Sequence, residues 1–168
     1  MKKKILVLIC CSIFILVFSN NSLADEPAWL QMLKKIVPLQ DTRISVRKLL
    51  GKPVIIDEYT DYFDFKGGRY EINYSGERCL QVLGLGRWNV EEGTVIEAAF
   101  YLYEDVKFSS FKFNLEGFKK EPPGDTPQAT EFVNKKKGIF YRREGKYLDY
   151  MMVFPAESNN NLICKSNN

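Results

Sequence analysis

The sequence contains no histidine among its 168 residues. This absence excludes Ser-His-Asp and Cys-His catalysis and zinc binding through histidine. Cysteine is scarce, with four residues, and no glycine-rich phosphate loop precedes a helix pattern. We therefore expect a protein that is not an enzyme and that requires no metal or other cofactor.

Residues 1–24 have the pattern of a secretory signal peptide. Three lysines at 2–4 precede an apolar run over 5–18, and Ser22 and Ala24 supply small residues at the −3 and −1 positions of a cleavage site. The apolar run is too short to cross a bilayer comfortably as a helix. We expect an exported protein, periplasmic or extracellular, whose mature chain 25–168 is one domain without a transmembrane segment.

The charge of the expected mature chain is balanced. The whole sequence has 24 basic and 21 acidic residues, and three of the basic ones are the leader lysines, so cleavage leaves 21 of each sign. A nucleic-acid-binding protein needs a basic face, and this balance provides no support for one. We expect the partner to be a protein or a cell-envelope component.

Cys79 and Cys164 are the two cysteines that remain after cleavage, because Cys10 and Cys11 lie in the leader. A cysteine pair in an exported protein predicts one disulfide, since that environment is oxidising. The bridge would close a loop of about 86 residues and contribute on the order of 4 kcal/mol in the chain-entropy model. The alternative is two free, buried thiols.

The hydrophobic periodicity predicts helices first and strands afterwards. Apolar residues recur at helical spacing over 27–36. The segment Thr42–Pro53 has a cap residue, an apolar stripe and a Gly-x-Pro stop, which predict a second helix at Arg43–Leu50. From Val54 onward the period is two. The sequence thus predicts an α+β fold, with two N-terminal helices followed by an antiparallel meander sheet.

This second helix carries a recognisable pattern, Thr-Arg-x-x-Val-x-x-Leu-Leu-Gly-x-Pro. The matching residues are Thr42, Arg43, Val46, Leu49, Leu50, Gly51 and Pro53. The pattern resembles the opening of the SmpA/OmlA (BamE-like) family, in which such a helix precedes a small antiparallel sheet. The resemblance implies a related fold and an envelope setting. Members of that family are small lipoproteins, whereas Ile9 precedes Cys10 here, where a lipoprotein cleavage site requires a small residue.

A second resemblance covers most of the mature chain. The segments that carry it are Trp88-Asn89-Val90, Thr94-Val95, Phe132-Val133-Asn134 with Gly138-Ile139, Phe154-Pro155 and Leu162-Ile163-Cys164. In this order they resemble a family of secreted bacterial proteins of unknown function. The resemblance implies export without implying an activity.

An acidic cluster with interleaved aromatic residues occupies 57–65. Its acids are Asp57, Glu58, Asp61 and Asp64. Two such carboxylates flanked by sugar-stacking rings are typical of a glycosidase. A calcium site is a further interpretation, although the spacing of a calcium-binding loop is missing. The alternative is a surface loop or edge strand with solvated acids and packed rings.

A basic cluster surrounds a predicted hairpin near the C-terminus. Its members are Lys135, Lys136, Lys137, Arg142, Arg143 and Lys146. We treat the first five as candidate binding residues, because such a cluster attracts anionic headgroups or an acidic partner. The alternative is a solvated loop whose lysines protect an edge strand.

Three functional hypotheses follow from the sequence. The first is an exported, non-enzymatic module that binds a protein or an envelope component. The second is a secreted hydrolase inhibitor, since two-helix-plus-sheet modules resembling the β-lactamase-inhibitor architecture bind enzymes through aromatic faces. The third is a carbohydrate-active enzyme that uses the acids of 57–64. Trp88 and the many tyrosines either mark a binding face or belong to the core.

Overall fold

The computed structural model describes residues 26–122, 126 and 128–165. The predicted leader, residues 1–24, lies outside the described residues. The elements are α1 (Ala28–Leu33), α2 (Arg43–Leu50), β1 (Ile55–Ile56), β2 (Thr60–Phe65), β3 (Gly68–Tyr74), β4 (Val95–Lys107), β5 (Lys119–Glu121), β6 (Ala129–Asn134), β7 (Ile139–Glu144) and β8 (Tyr147–Val153). Single 3₁₀ segments follow β4 at Phe108–Ser110 and β8 at Glu157–Leu162.

The eight strands form one antiparallel sheet in the order β1-β2-β3-β4-β8-β7-β6-β5. Strands β1 to β4 form one meander and strands β5 to β8 form another. The two meanders join where their last strands pair, from Ala98 opposite Val153 to Lys107 opposite Tyr147, with a register shift between Tyr101 and Val106. The chain passes from the first meander to the second through the long connection 108–118.

The predicted fold class, α+β with two N-terminal helices followed by a meander, is wrong. The helices are short, six and eight residues, and the eight-stranded sheet dominates the described part of the chain. The sheet is also not one meander, because β4 and β8 join two of them. Periodicity is a local signal. It carries no information on which strands pair across the sheet, and this pairing decides the architecture.

One face of the sheet holds the core, covered by α1, α2 and the connection 108–118. The indole of Trp29 in α1 stacks on Phe100 of β4, with ring centroids 4.7 Å apart. The Tyr70 hydroxyl donates to the Trp29 carbonyl oxygen at 2.8 Å. From the connection, Phe113 packs on Tyr141 of β7 at 4.2 Å. Aromatic contacts thus anchor α1 and the connection to different strands of the sheet.

The predicted disulfide is confirmed. Cys79 and Cys164 are bridged, with their Cα atoms 5.6 Å apart. The bridge ties the loop between β3 and β4 to the segment after β8. The backbone adds to this tie, since Cys164 N–H donates to the Arg87 carbonyl oxygen at 2.8 Å and Trp88 pairs with Ile163. Within the described part of the chain, every helix is too short or too polar to span a bilayer.

Candidate functional site: the open face of the sheet

The second face of the sheet points away from both helices, and we call it the open face. Strand register places five of its residues in one row across five strands. The row reads Tyr62 (β2), Glu71 (β3), Ala99 (β4), Met152 (β8) and Phe140 (β7). Alternation explains the placement, because neighbours along a strand point to opposite faces. Phe100, next to Ala99, belongs to the core.

An aromatic cluster occupies the middle of the open face. The rings of Tyr101 and Tyr150 lie 4.9 Å apart, and Tyr150 stacks on Phe140 at 5.4 Å. Both tyrosines are half-buried. Burial is the main cause that raises the pKa of Tyr101 well above its usual range, and the nearby negative charge of Glu71 adds to it. These hydroxyls therefore stay protonated and can donate hydrogen bonds to a partner.

A groove beside this cluster, the Trp88 groove, has a volume of about 330 Å³. Its lining residues are Leu85, Trp88, Ile96, Glu97, Val133, Lys135, Phe140, Met152, Phe154 and Pro155. The Trp88 indole N–H donates to the Leu85 carbonyl oxygen at 2.8 Å, so the loop's own backbone fixes the ring. The groove is mostly apolar and is at the small end of the range for ligand sites.

Two carboxylates lie next to the aromatic cluster. The Asn73 amide donates to Glu97 at 3.1 Å and to Glu71 at 3.4 Å. Burial raises the pKa of Glu97, the Asn73 hydrogen bond opposes this rise, and the charge of Glu71 adds to it. Among the residues that the structure describes, the ion pairs involve neither of these acids. Glu71 and Glu97 thus form a pair of acids without an ion-pair partner within 4.0 Å among the described residues.

The predicted acidic cluster does not form one site. Asp61 is fully buried beneath α2, where the Arg47 guanidinium donates to it at 2.8 and 2.9 Å. Asp64 lies on the opposite face of β2, and the Arg69 guanidinium, followed by the Tyr103 hydroxyl, lowers the pKa of its carboxyl. The other two acids, Asp57 and Glu58, are exposed before β2. These four acids therefore do not face one cleft, and the glycosidase interpretation loses its geometric support.

The predicted basic cluster is also dispersed. Residues Lys135–Lys137 are exposed in the turn between β6 and β7, whereas Arg142 and Arg143 lie near the other end of β7 and on opposite faces of it. On the open face, Arg142 pairs with Asp149 at 3.3 Å. On the core side, the Arg143 guanidinium lies 5.6 Å from the centre of the Phe132 ring. Lys146 is exposed in the turn between β7 and β8, so the exposed lysines of the predicted cluster lie at opposite ends of β7.

The open face is not predictable from the sequence alone. Glu71 and Asn73 alternate with apolar residues in β3, and this alternation showed that one side of the strand was polar. Strand β4 gave a weaker signal, because Glu97 is the one charged residue among its residues 95–103 and the others are apolar or aromatic on both sides. The strand register that brings Glu71, Glu97 and Tyr101 together could not be read from either strand alone.

Among the described residues, no group of three or more cysteine or acidic side chains could hold a metal ion. Comparison with protein-family models, with curated proteins and with solved structures finds no match to this chain. The resemblance of the α2 segment to the SmpA/OmlA family therefore stays a prediction. The open face has to be interpreted from its own chemistry.

Proposed function

We propose that this protein is an exported, non-enzymatic binding module whose open face contacts a protein partner. The aromatic cluster of Tyr101, Tyr150 and Phe140 is the observation that carries the proposal. Tyrosine and other aromatic residues are enriched in the centres of protein interfaces. Here they project from paired strands, so binding costs little conformational entropy. The leader pattern and the disulfide support export.

A secreted hydrolase is one class of partner that this surface suits. Inhibitors commonly bind through a surface whose backbone moves little on binding, and the aromatic side chains of the open face project from paired strands. This second candidate differs from the first only in the partner, so one set of variants tests both. The dispersed acids of 57–64 give the carbohydrate-active alternative no comparable support.

The test uses the protein purified after export with its disulfide intact, immobilised and exposed to envelope and secreted fractions. A double variant, Tyr101→Ala with Tyr150→Ala, removes the centre of the aromatic cluster. The control Ile44→Ala shortens an apolar side chain that is 81% exposed on α2, on the other side of the sheet. Urea unfolding of each variant establishes that it is folded before binding is compared.

We expect a partner that wild type and Ile44→Ala capture and that the folded double variant loses. Capture that is equal for all three proteins would place the binding elsewhere and would contradict the proposal. Titration of the same three proteins against a panel of secreted hydrolases tests the inhibitor candidate. Inhibition by wild type that the double variant loses would assign that partner class.

A further inference from the structure

The Trp88 groove and the Glu71–Glu97 pair form one continuous surface. Glu97 lines the groove together with Ile96 and Met152. Asn73 links Glu97 to Glu71, because its amide donates to both carboxylates. An apolar recess and two acids are therefore presented to the same part of a partner.

The cations on the open face that the structure describes form no ion pair with Glu71 or Glu97. Arg69 donates to Asp64 at 2.8 Å, and Arg142 pairs with Asp149. Lys135 lines the groove, but it forms no ion pair with Glu97 among the described contacts. A half-buried carboxylate without a cation is costly, and an external cation gains from approaching it.

Tyrosine rings surround the acids and suit the same type of group. Tyr62 lies opposite Glu71 across the β2–β3 pair. Tyr101 is also near Glu71, whose negative charge contributes to the raised pKa of the Tyr101 hydroxyl. Lysine and arginine combine a cationic end with an apolar stem. The stem packs on a tyrosine ring, the charge interacts with the ring face, and the end reaches the carboxylates.

We propose that the protein partner presents a lysine or arginine next to a large apolar side chain. The cation binds between Glu71 and Glu97, and the apolar side chain enters the Trp88 groove. This inference rests on the proposed function, since it specifies the partner of the same face. The partner's binding segment is therefore expected to alternate basic with apolar residues. A segment rich in acidic residues is expected to bind poorly.

Three fluorescent peptides test the chemistry directly. The first alternates arginine with leucine, the second replaces each arginine by glutamate, and the third replaces each leucine by serine. Fluorescence anisotropy against the exported, disulfide-bonded protein measures each affinity. We expect the arginine–leucine peptide to bind about tenfold or more tightly than either of the other two. Its affinity should fall as salt increases, because part of the attraction is electrostatic.

Matched variants locate the binding. Glu71→Gln with Glu97→Gln removes two charges and keeps both shapes, whereas Glu92→Gln with Glu144→Gln removes two exposed charges elsewhere. We expect the first double substitution to lower the affinity for the arginine–leucine peptide about tenfold. The second double substitution should leave that affinity unchanged. Unfolding curves establish that both variants are folded.

Several outcomes would overturn the inference. These are equal affinity for the acidic peptide, equal losses in both double variants, or no peptide binding by the folded wild type. None of these outcomes contradicts the proposed function if wild type captures a partner that the double variant Tyr101→Ala, Tyr150→Ala does not capture. Capture that is insensitive to that aromatic variant contradicts the proposed function itself, so the two failures are distinguishable.

Discussion

Asp61, whose side chain has no exposed surface, is held by two hydrogen bonds from Arg47 at 2.8 and 2.9 Å. Arg43 adds an ion pair at 3.6 Å, and the Tyr74 hydroxyl lies 3.3 Å from the same carboxylate. The Asp61 carboxyl in turn raises the pKa of Arg47. One buried charge in β2 therefore fixes α2 on the sheet through two successive helical turns.

This pair gives the first prediction. Arg47→Met should lower the free energy of unfolding by about 2–3 kcal/mol, because it leaves the Asp61 charge buried with a poorer partner. This value lies below the range of about 3–5 kcal/mol for a fully buried pair, since the Arg47 side chain is 37% exposed and solvent screens the interaction. Urea unfolding measures the loss. Adding Asp61→Leu should recover part of it, and additive losses in the double variant would show that the two residues are not coupled.

Two turn glycines give a second, internally controlled prediction. Gly138 has φ +63°, and a Cβ there would lie 2.0 Å from the Phe154 carbonyl oxygen. Gly145 has φ +54° with open space around it. Gly145→Ala should therefore cost about 1–2 kcal/mol for the backbone conformation alone, whereas Gly138→Ala should cost roughly 3–5 kcal/mol through steric clash as well. Similar midpoints in thermal or urea unfolding would show that the turn moves to accommodate the methyl group.

The raised pKa of Glu97 gives a third prediction. A carboxyl group whose pKa is higher in the folded than in the unfolded protein stabilises the folded state at low pH. This stabilisation is complete below the pKa of the unfolded state and is lost as the pH rises through the pKa of the folded state. Glu97→Gln carries no charge at any pH. Its stability relative to wild type should therefore increase as the pH rises from below about 4, the usual range of a glutamate, towards neutrality.

Urea unfolding over this pH range measures that difference. Burial and the charge of Glu71 raise the pKa of Glu97, whereas the hydrogen bond from Asn73 lowers it. Glu92→Gln, at an exposed loop position, is the control for removing a charge. A stability difference for Glu97→Gln that does not change with pH would contradict the prediction.

The fourth prediction concerns the disulfide between Cys79 and Cys164. Its cysteines are 85 residues apart in sequence, and closing a loop of this size should stabilise the protein by about 4 kcal/mol in the chain-entropy model. Replacing both cysteines by serine should lower the stability by a similar amount. Because the bridge supports the loop that carries Trp88, peptide binding at the groove should weaken as well. Unchanged melting and binding would show that the backbone pairing around Trp88 is sufficient.

The fifth prediction concerns Lys135, Lys136 and Lys137. They are exposed in a turn, so replacing all three by Gln should leave the melting temperature within a few degrees of wild type. If these lysines bind anionic lipid, the wild type should associate with vesicles containing phosphatidylserine, and the variant and high salt should both abolish that association. If neither the triple substitution nor high salt changes the association, these lysines do not bind the lipid. Their remaining role would then be to protect an edge strand from pairing with other chains.

Local features of this chain were predictable from sequence because their causes are local. Thr42 accepts a hydrogen bond from the Ser45 backbone, which starts α2, and the cap residue is visible in the sequence. The disulfide was predictable for another reason, since the other two cysteines lie in the predicted leader. Neither inference required knowledge of which strands are neighbours.

The open face and the sheet order were not predictable in this way. Tyr101 and Tyr150 meet only because β4 pairs with β8, and they are remote in sequence. Alternation along β7 separates Arg142 from Arg143 by face, since adjacent residues of a strand point in opposite directions. The grouped charges in the sequence therefore suggested a cluster that the strand geometry disperses.

The junction between β4 and β8 has a consequence for folding. Apart from the β3–β4 connection at 75–94, the hairpins within each meander close short loops and form quickly. The junction brings together remote parts of the chain and is expected to form late. Until then, a half-folded molecule has an uncovered strand edge at β4 or β8, and such edges recruit other chains. Cys79 precedes β4 and Cys164 follows β8. An early disulfide would therefore hold the two edges near each other and favour their pairing within one molecule over aggregation.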